Sequence, residues 1–401
     1  MALSIFVLAY AIGPLFFGPL SEVYGRSRIV QLSNLWFLAW NLGCGFAQNS
    51  AEFFVFRFLA GIGGSAPLAI GAGMLGDCWS PAERAKAVGI YMLTPLLGPV
   101  IGPIAGGFIA EQSTWRWVFW SVSIVAAVIQ VCGFVWLKET HGPTLLKRKR
   151  ERLFRETGND RLHVGAEDNK ELGNALGSAL VRPARMLATQ PIVQLVALYM
   201  AYCFGITYLI TVTFPVVWSE VYRETLGVGG LNFISIGVGS ILGVLLNVRF
   251  IDRLYQNLRK KNNDVALPEF RVPAIIIGST SVPVGLFWYG WSVQARIHWI
   301  MPNIGVAIVT AGIMICLQNM QGYIIDAYTK FAASCTAAIV VLRSLAGFCF
   351  PLFAPYLYPR LGYGWGSSLL AFISIGIGIP APVLFYLYGA KLRARSKFAV
   401  A

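Results

Sequence analysis

Apolar runs long enough to cross a bilayer recur along the whole chain, and they restrict its fold more than any other feature. A helix crosses the hydrocarbon core in about 20 residues, and only helices or closed barrels satisfy their backbone hydrogen bonds there. Of the 401 residues, 56% are hydrophobic and 12% are charged, about half the charged share of soluble domains. The sequence therefore predicts an all-α polytopic membrane protein. We expect eleven spans, at about residues 3–19, 29–48, 53–76, 84–110, 116–137, 191–216, 229–250, 273–292, 298–323, 331–356 and 367–390.

Basic residues are distributed unevenly between the segments that connect these runs. Of the 32 Lys and Arg, 26 fall in alternate segments and the carboxy-terminal tail, whereas the opposite segments hold 4. The positive-inside rule places the basic segments in the cytoplasm, so the amino terminus lies outside and the carboxy terminus inside. The net charge of +14 thus reflects topology. We expect a lipid bilayer around the chain and no nucleic-acid partner.

A long basic segment divides the spans into five and six. We expect an amino-terminal transmembrane bundle over 1–137, a mobile cytoplasmic linker over 138–189, a carboxy-terminal bundle over 190–390 and a cytoplasmic tail over 391–401. The charge run of the linker is typical of a solvated segment that helps to set topology, with contact to anionic lipid as the alternative. The five-plus-six division suggests a six-plus-six protein whose first span is absent from the sequence.

The fourth run contains TPLLGPVIGPIAGG, residues 94–107, in which prolines and glycines each repeat every four residues. Residues spaced by four stay on one side of a helix over this length. The glycines would form a strip against which a neighbouring helix packs closely, and the prolines would bend the helix where protein shields the freed carbonyls. We expect a bent helix at the interface of the two bundles that resists leaks of protons and substrate. Structural packing without a mechanistic role is the alternative.

Three motifs resemble those of the major facilitator superfamily. The first short cytoplasmic loop, GPLSEVYGRSR, is similar to the loop signature G-x-L-(A/S)-D/E-x-x-G-R through Gly18, Leu20, Ser21, Glu22, Gly25 and Arg26. FFVFRFLAGIGGS is similar to the R-x-x-x-G motif through Arg57 and Gly61. TPLLGPVIGPIAGG is similar to the G-x-x-x-G-P-x-x-G-G signature of the drug:proton antiporter branch through Gly98, Gly102, Pro103, Gly106 and Gly107. WRWVFW and YIIDAY resemble passages of the twelve-span fungal multidrug group.

The resemblance implies the major facilitator fold, two pseudo-symmetric six-helix bundles with eleven of the twelve spans present. It also implies that the Glu22 carboxylate latches against a helix end in the other half, and that Arg57 takes part in proton coupling. A topogenic loop and snorkelling of Arg57 to the interface are the respective alternatives. No Asp or Glu falls near the middle of a predicted span, so the boundary carboxylates Glu52 and Asp326 are further candidates for carrying the proton.

Candidate substrate contacts lie in the carboxy-terminal bundle. Arg343 falls about twelve residues into its run, near the predicted midplane, where transporters of this kind bind substrate. A purely structural pairing of this arginine is the alternative. Aromatic and polar residues on nearby runs are further candidates, namely Tyr199, Tyr202, Tyr208, Gln318, Asn319 and Tyr323. Together they suit small molecules that are apolar or weakly cationic.

The predicted function is secondary active efflux of drugs, toxins or secondary metabolites in exchange for protons, by alternating access. The resemblance implies the direction and the coupling, because hydropathy indicates only a polytopic protein. An uptake permease for a small nutrient and a truncated chain that does not transport are the alternatives. No nucleophile–base set, metal-ligand spacing or ATP-binding motif occurs, so we expect no enzyme activity, no metal and no cofactor besides the proton gradient. We expect a monomer in the plasma membrane, with the vacuolar membrane as the alternative.

Overall fold

Helices account for most of the chain that the structure describes. The computed structural model describes residues 1–79, 81–159, 172–263 and 267–394, and no β-strand occurs within these ranges. The amino-terminal half consists of α1 (Ala2–Tyr24), α2 (Arg26–Phe46), α3 (Ser50–Cys78), α4 (Pro81–Gln112) and α5 (Trp115–Trp136), followed by α6 (Gly142–Thr157) and α7 (Leu172–Thr189). The carboxy-terminal half consists of α8 (Pro191–Val216), α9 (Leu226–Leu231), α10 (Ile234–Leu246), α11 (Asp252–Lys261), α12 (Val272–Gln294), α13 (Ile300–Ala327), α14 (Ala332–Gly378) and α15 (Pro380–Ala394).

Short irregular helical turns extend several of these helices. A π-helix over Val217–Val221 continues α8, and a second π-helix over Asn247–Ile251 joins α10 to α11. Two 3₁₀ turns, Pro268–Arg271 and Thr329–Phe331, lead into α12 and α14. The first of these turns carries two charged residues into the start of a membrane-length helix, where they form part of an ion-pair cluster described below.

Helices of membrane-spanning length and composition recur in both halves, which supports a multi-pass membrane protein. Eight stretches of the described residues meet both criteria, and they are Ala2–Tyr24, Ser50–Cys78, Trp115–Trp136, Pro191–Val221, Leu226–Lys261, Pro268–Gln294, Ile300–Ala327 and Ala332–Gly389. The last is 58 residues long, far more than the roughly 20 that one crossing needs. The count of eleven spans is not confirmed and stays a prediction.

The two runs predicted over 331–356 and 367–390 are divided at a glycine. Within α14, Gly362 departs from helical geometry with φ 73° and ψ 169°, so the chain bends there. This φ is in the region that glycine adopts readily and other residues rarely do. The side-chain oxygen of Gln294 accepts a hydrogen bond from the Gly364 N–H at 3.2 Å and so ties the bend to the end of α12.

The segment expected to be a mobile linker contains two helices. The basic run lies on α6, which ends at Gly158 in the left-handed conformation, and the linker role of the segment stays a prediction. In α6, Arg152 and Glu156 form an ion pair one turn apart, with 2.7 Å between the nitrogen and oxygen atoms. The helix α7 packs against α1 and α14, and Met186 is fully buried there. Residues 160–171 lie outside the described ranges.

The larger apolar core lies in the carboxy-terminal half. It is built from α8, α10, α12, α13 and α14 around large buried side chains that include Trp218, Tyr199, Tyr289 and Tyr323. In the amino-terminal half a smaller cluster joins α2 and α3 through Ile29, Ala66 and Ile70, with α1 packed on it. The two halves meet where α1 packs on α14, and where α4 packs on α9 and α10.

Candidate functional site

In the amino-terminal half, Arg57 on α3 lies against an aromatic pair on α1. Its guanidinium carbon is 4.6 Å from the centroid of the Phe6 ring, and its Nε donates to the carbonyl oxygen of Ala2 at 3.4 Å. The Phe6 ring packs on the Tyr10 ring one turn further along α1, at 5.3 Å between centroids. The Tyr10 hydroxyl donates to the carbonyl oxygen of Gly64 at 3.2 Å. The arginine is thus held on an aromatic face rather than by a carboxylate.

The carboxy-terminal half repeats this arrangement with α14 and α8. The guanidinium carbon of Arg343 is 4.8 Å from the centroid of the Phe204 ring, and Phe204 packs on Tyr208 at 5.1 Å between centroids. Tyr208 also lies within electrostatic range of Arg343. The Nε of Arg343 is buried and has no hydrogen-bond partner among the described residues. A desolvated donor of this kind is costly unless something else satisfies it.

These two arrangements meet between the halves. A Cβ on Gly347, one turn after Arg343, would lie 3.0 Å from a ring carbon of Tyr208 and 3.0 Å from the Val7 side chain of α1. Tyr10 and Tyr208 are within electrostatic range of each other across the same contact. We call the six side chains the interface cluster, and its members are Phe6, Tyr10, Arg57, Phe204, Tyr208 and Arg343.

A repeat in the sequence marks this cluster, and the sequence analysis missed it. Residues 57–61 read RFLAG and residues 343–347 read RSLAG, while residues 6–10 read FVLAY and residues 204–208 read FGITY. In both halves, therefore, Arg-x-Leu-Ala-Gly on one helix packs against Phe-x-x-x-Tyr on another. The glycine allows the approach, since a Cβ on Gly61 would lie 2.6 Å from the carbonyl oxygen of Phe6.

The glycine–proline helix α4 packs on the other half of the molecule along a close seam. A Cβ on Gly230 of α9 would lie 2.8 Å from the carbonyl oxygen of Pro103, and one on Gly237 of α10 would lie 2.7 Å from the Val100 side chain. Nearer the end of α4, a Cβ on Gly107 would lie 2.5 Å from the carbonyl oxygen of Leu226. Backbones approach this closely only where side chains are absent.

One hydrogen bond closes the end of this seam. The Glu111 carboxylate, in the last turn of α4, accepts a hydrogen bond of 2.7 Å from the backbone N–H of Gly227. A Cβ on Gly227 would lie 2.7 Å from the Phe108 ring. We call this contact of α4 with α9 and α10 the α4 seam, and it is formed by Val100, Pro103, Gly107, Phe108 and Glu111 facing Leu226, Gly227, Gly230 and Gly237.

The face of α4 that packs is not the one expected from the glycine spacing. Among the described residues, a Cβ on Gly98 or Gly102 would have no neighbour within 4 Å, and one on Gly106 would contact only Val118 of α5, at 3.6 Å. The seam instead uses Pro103, Gly107 and residues in register with them. The four-residue repeat was sufficient to predict a smooth strip, but the close partners of the α4 seam are mainly glycines of α9 and α10.

The motif of the first short loop forms an ion cluster at the predicted cytoplasmic end of the amino-terminal half. Gly25 separates α1 from α2 with φ 97°, and Oε1 of Glu139 accepts a hydrogen bond of 2.9 Å from the Arg26 N–H. The Arg26 side chain pairs with Asp77 at the end of α3, with 3.1 Å between Nε and Oδ2. A Cβ on Gly73 would overlap the guanidinium of Arg26. Glycine at 73 therefore makes room for the ion pair.

Hydrogen bonds within the last turns of α1 involve three residues of this loop motif. The hydroxyl of Ser21 donates to the Gly18 carbonyl oxygen at 2.7 Å, and the Gly25 N–H donates to the Ser21 carbonyl oxygen at 3.1 Å. Leu20 packs on the small apolar cluster of α2 and α3. Glu22 is exposed in the last turn of α1. The carboxylate that holds the start of α2 is thus Glu139, from the segment after α5.

An equivalent ion cluster occurs in the carboxy-terminal half. Arg271, at the start of α12, pairs with Asp326 near the end of α13, with 2.8 Å between Nε and Oδ2. Gly322 lies one turn before Asp326, as Gly73 does before Asp77, and a Cβ there would lie 2.6 Å from the Arg271 guanidinium carbon. A second pair next to it is bidentate, since Arg393 donates to both carboxylate oxygens of Glu269 at 3.0 Å.

Most of the other predicted substrate contacts lie inside the carboxy-terminal half rather than in the interface cluster. Tyr199 is fully buried with its hydroxyl 3.9 Å from the Cys316 sulfur, and Tyr323 is fully buried against Phe385. The Tyr202 hydroxyl donates to the carbonyl oxygen of Leu370.

The two predicted amide contacts also hold helices together. The Gln318 side-chain oxygen accepts a hydrogen bond from Asn247 at 2.7 Å, and the Asn319 side chain donates to Asn247 at 2.7 Å. This network links α13 to the π-helix turn after α10. Of the seven predicted substrate contacts, the structure brings Arg343 and Tyr208 together at the interface of the halves.

The candidate proton carriers are placed at helix ends. Glu52 is exposed in the first turn of α3, where its carboxylate accepts hydrogen bonds from the Gln48 N–H at 3.1 Å and the Asn49 side chain at 2.8 Å. This is a helix-capping arrangement. Asp326 is engaged by Arg271, as described above. Arg57 belongs to the interface cluster.

Comparison with known proteins identifies the family. Residues 1–351 match the Major Facilitator Superfamily. The chain belongs to this superfamily. The efflux pump vrtL of Penicillium aethiopicum is 58% identical to this chain over 399 residues, which cover 100% of this chain and 79% of vrtL. The probable efflux pump mfs2 of Aspergillus flavus is 40% identical over 99% of this chain and 94% of its own length.

Solved structures of superfamily members share this fold. The xylose transporter XylE from E. coli, in a partially occluded inward open conformation, superposes with a TM-score of 0.67 at 16% sequence identity. The match covers 96% of this chain and 86% of XylE. At this identity the similarity shows the fold alone.

Two carboxylates outside the spans were missed by the sequence analysis, and their surroundings differ. Burial acts to raise the pKa of Glu139, but hydrogen bonds from the N–H groups of His141, Arg26, Ser27 and Thr140 outweigh it, and the pKa lies below its usual value.

The second missed carboxylate is Glu224, between α8 and α9. Burial raises its pKa above the usual value, against an opposing hydrogen bond of 2.7 Å from the Asn232 side chain. Glu139 accepts from the distant Arg26 as well as from its neighbours Thr140 and His141, whereas the donor to Glu224 lies only eight residues further along the chain.

Proposed function

We propose that this superfamily member exports small organic metabolites or toxins in exchange for protons, by alternating access of its two halves. The observation that carries the proposal is the α4 seam, in which a glycine–proline helix of one half packs backbone-to-backbone on the other half. Such a contact seals well and can separate as a unit, because few long side chains interlock across it. The export direction is supported by relatives that are named as efflux pumps over the full length of this chain.

We further propose that the chain belongs to the drug:proton antiporter branch, as the motif around Pro103 suggests. The antiporter signature lies on the helix that forms the seam, which is where a leak between the halves would need to be resisted. The proton is taken up by a carboxylate at the end of a span, since no acidic residue lies near the middle of one. Glu224 joins Glu52 and Asp326 as a candidate, because its raised pKa favours reversible protonation closer to neutral pH.

The remaining properties follow as proposals of the same kind. The transporter acts as a monomer in the plasma membrane, with the vacuolar membrane as the alternative, and the proton gradient is its energy source. Relatives named as efflux pumps weigh against the nutrient permease. A chain that does not transport would be recognised by the absence of flux in the experiment that follows.

Flux in sealed vesicles tests direction and coupling together. Inside-out vesicles from cells that express the full chain are loaded at acidic internal pH, and accumulation of labelled metabolites is compared with vesicles that lack the protein. We expect accumulation that collapses when an ionophore dissipates the pH gradient. Accumulation that persists unchanged after the pH gradient is dissipated would exclude proton exchange as the driving reaction. Net flux only in the opposite direction would favour the nutrient permease. A Glu224→Gln variant should shift the pH dependence of the flux, whereas Glu156→Gln on α6 should not.

A further inference from the structure

The interface cluster suits an anion, whereas the sequence led us to expect an apolar or weakly cationic substrate. It contains two guanidinium groups, on Arg57 and Arg343, and neither forms an ion pair with a described carboxylate. Each is instead packed on a phenylalanine ring, at 4.6 Å and 4.8 Å from the centroid. A substrate cation would be repelled by both.

Each arginine also has hydrogen-bonding capacity left unused by the protein. The Arg343 Nε is buried without a partner among the described residues, and Arg57 uses its Nε only in a long bond of 3.4 Å to a backbone carbonyl. A guanidinium presents five donors in a flat fork that matches a carboxylate or another planar oxyanion. In surroundings of low dielectric, such charge-assisted hydrogen bonds are the strong ones.

Aromatic rings complete the surroundings of the two charges. Phe6 with Tyr10 and Phe204 with Tyr208 form two tilted ring pairs, at 52° and 55° between ring planes, one in each half. A flat apolar ligand can pack on such rings while its acidic group reaches the guanidinium groups. The Tyr208 hydroxyl adds a donor at the contact of the halves, whereas the Tyr10 hydroxyl already donates to the Gly64 carbonyl oxygen.

We propose that the interface cluster binds the acidic group of an aromatic organic anion, with Arg57 and Arg343 as its charge partners. This names the substrate class of the exporter, and so it rests on the proposed function. Because the two arginines belong to different halves, an anion that engages both of them contacts both halves. Its binding therefore depends on how the halves are arranged, which is the requirement for a ligand to bias alternating access.

Binding to the purified full chain tests the proposal without any need for transport. The probes share one ring system and differ in charge, and they are 9-anthracenecarboxylate, neutral 9-anthracenecarboxamide and cationic 9-(aminomethyl)anthracene. Binding is measured by fluorescence in phosphatidylcholine nanodiscs. We expect the carboxylate to bind at least about tenfold more tightly than the amide, and the amine to bind most weakly. Equal or tighter binding of the amide or the amine would overturn the proposal.

Substitutions assign that preference to the cluster. Arg343→Gln and Arg57→Gln should each bring the carboxylate and the amide to within about threefold of each other, whereas Arg343→Lys should keep a preference for the carboxylate. Arg116→Gln is the matched control, because Arg116 stacks on Trp115 outside the cluster, at 4.7 Å from the ring centroid. Thermal unfolding confirms that each variant is folded. A folded Arg343→Gln, Arg57→Gln double variant that retains the full preference would overturn the proposal.

Two further experiments distinguish the anion site from lipid binding and from the proposed export function. Adding phosphatidylserine to the nanodiscs should leave probe binding unchanged, and displacement of the probe would assign the cluster to an anionic lipid headgroup instead. If vesicles show no export while the purified chain prefers the carboxylate in the way described, the proposed function fails and the anion site stands. If vesicles export neutral compounds and the Gln variants leave that export and all binding unchanged, the anion site fails and the exporter stands.

Discussion

Gly25 illustrates how much a single residue of the loop motif depends on a distant partner. Its φ of 97° with ψ of 149° lies in a region that is essentially restricted to glycine. A Cβ there would overlap the Glu139 carboxylate. The conformation of Gly25 turns the Arg26 N–H toward that carboxylate. The turn at Gly25 and the hydrogen bond to Glu139 therefore depend on each other. The sequence predicted the tight turn but not its partner.

Replacing Glu139 with glutamine should change how the stability of the protein depends on pH. The pKa of Glu139 is lower in the folded protein than usual, so its contribution is fully present above the ordinary carboxyl pKa. The contribution is lost as the pH falls through the lower, folded value. We therefore expect Glu139→Gln to cost about 1–3 kcal/mol at neutral pH and to lose less stability than the parent on acidification. Thermal unfolding in detergent at several pH values measures both.

Glu156→Gln is the control for that experiment. Glu156 is exposed and pairs with Arg152 on α6 in the ordinary i, i+4 manner. Such a pair contributes about 0.3–0.5 kcal/mol, so its loss should leave the pH profile unchanged. An identical acid profile for the parent and Glu139→Gln would contradict the role assigned to Glu139.

At the scale of elements, α4 was predicted to be an interface helix from its sequence alone, but its packing face was not. Every fourth residue is a glycine, and this pattern indicates a smooth strip. A Cβ on Gly98 or Gly102 would nevertheless meet no described residue within 4 Å, whereas Pro103 and Gly107 lie against the other half. A helix with small residues on more than one face can pack on either, and the choice depends on the partner. Here the partner contributes Gly230 and Gly237.

The motif suggests that Gly102 is the glycine where a larger side chain does harm. The structure predicts instead that Gly230→Ala is harmful and that Gly102→Ala is tolerated. In Gly230→Ala the new Cβ lies 2.8 Å from the carbonyl oxygen of Pro103. Neither backbone can move without opening the seam, and we expect a loss of about 1–3 kcal/mol in stability together with reduced efflux. In Gly102→Ala the Cβ meets no atom within 4 Å, and we expect stability within about 0.5 kcal/mol of the parent. Thermal unfolding and vesicle flux measure the two effects.

The two variants show whether α4 packs through the glycine strip of the motif or through the α4 seam. If Gly102→Ala abolished efflux while Gly230→Ala did not, the packing face of α4 would have to be the glycine strip. Equal expression of the two variants is the necessary control, and both substitutions add the same single methyl group to a helix.

At the scale of the whole molecule, the two halves use the same local devices. Each has an arginine on a phenylalanine ring at the interface of the halves. Each also has an arginine at the start of one helix that pairs with an aspartate one turn after a glycine, as in Arg26 with Asp77 and Arg271 with Asp326. This internal repetition is the basis of alternating access, because two similar bundles can rock against each other about a shared site.

Locking the α4 seam should stop transport reversibly. The seam joins the halves near the predicted outer end, and a Cβ at 227 would lie 2.7 Å from the Phe108 ring. Cysteines at both positions, in the Phe108→Cys, Gly227→Cys variant, should form a disulfide on oxidation. We expect flux to fall to background when oxidised and to recover on reduction, because outward opening requires the seam to separate. The two single-cysteine variants should show no such response.

Full flux with the disulfide formed in all molecules would show that the seam does not open during transport. Mass spectrometry of the oxidised protein establishes the extent of cross-linking, and the seven native cysteines are accounted for in the single-cysteine controls.

The sequence by itself determined that the protein lies in a lipid bilayer. It also determined which runs are helical and which residues make close helix contacts possible. These properties are local, because apolar length, glycine and proline spacing and loop charge each act within about 20 residues. The tertiary structure decided the partners. It placed Tyr199 and Tyr323 in the interior of one half, joined Glu139 to Arg26 and brought Arg57 and Arg343 to one interface. Those contacts join residues far apart in the chain, and only the arrangement of the helices selects which face of each one is used.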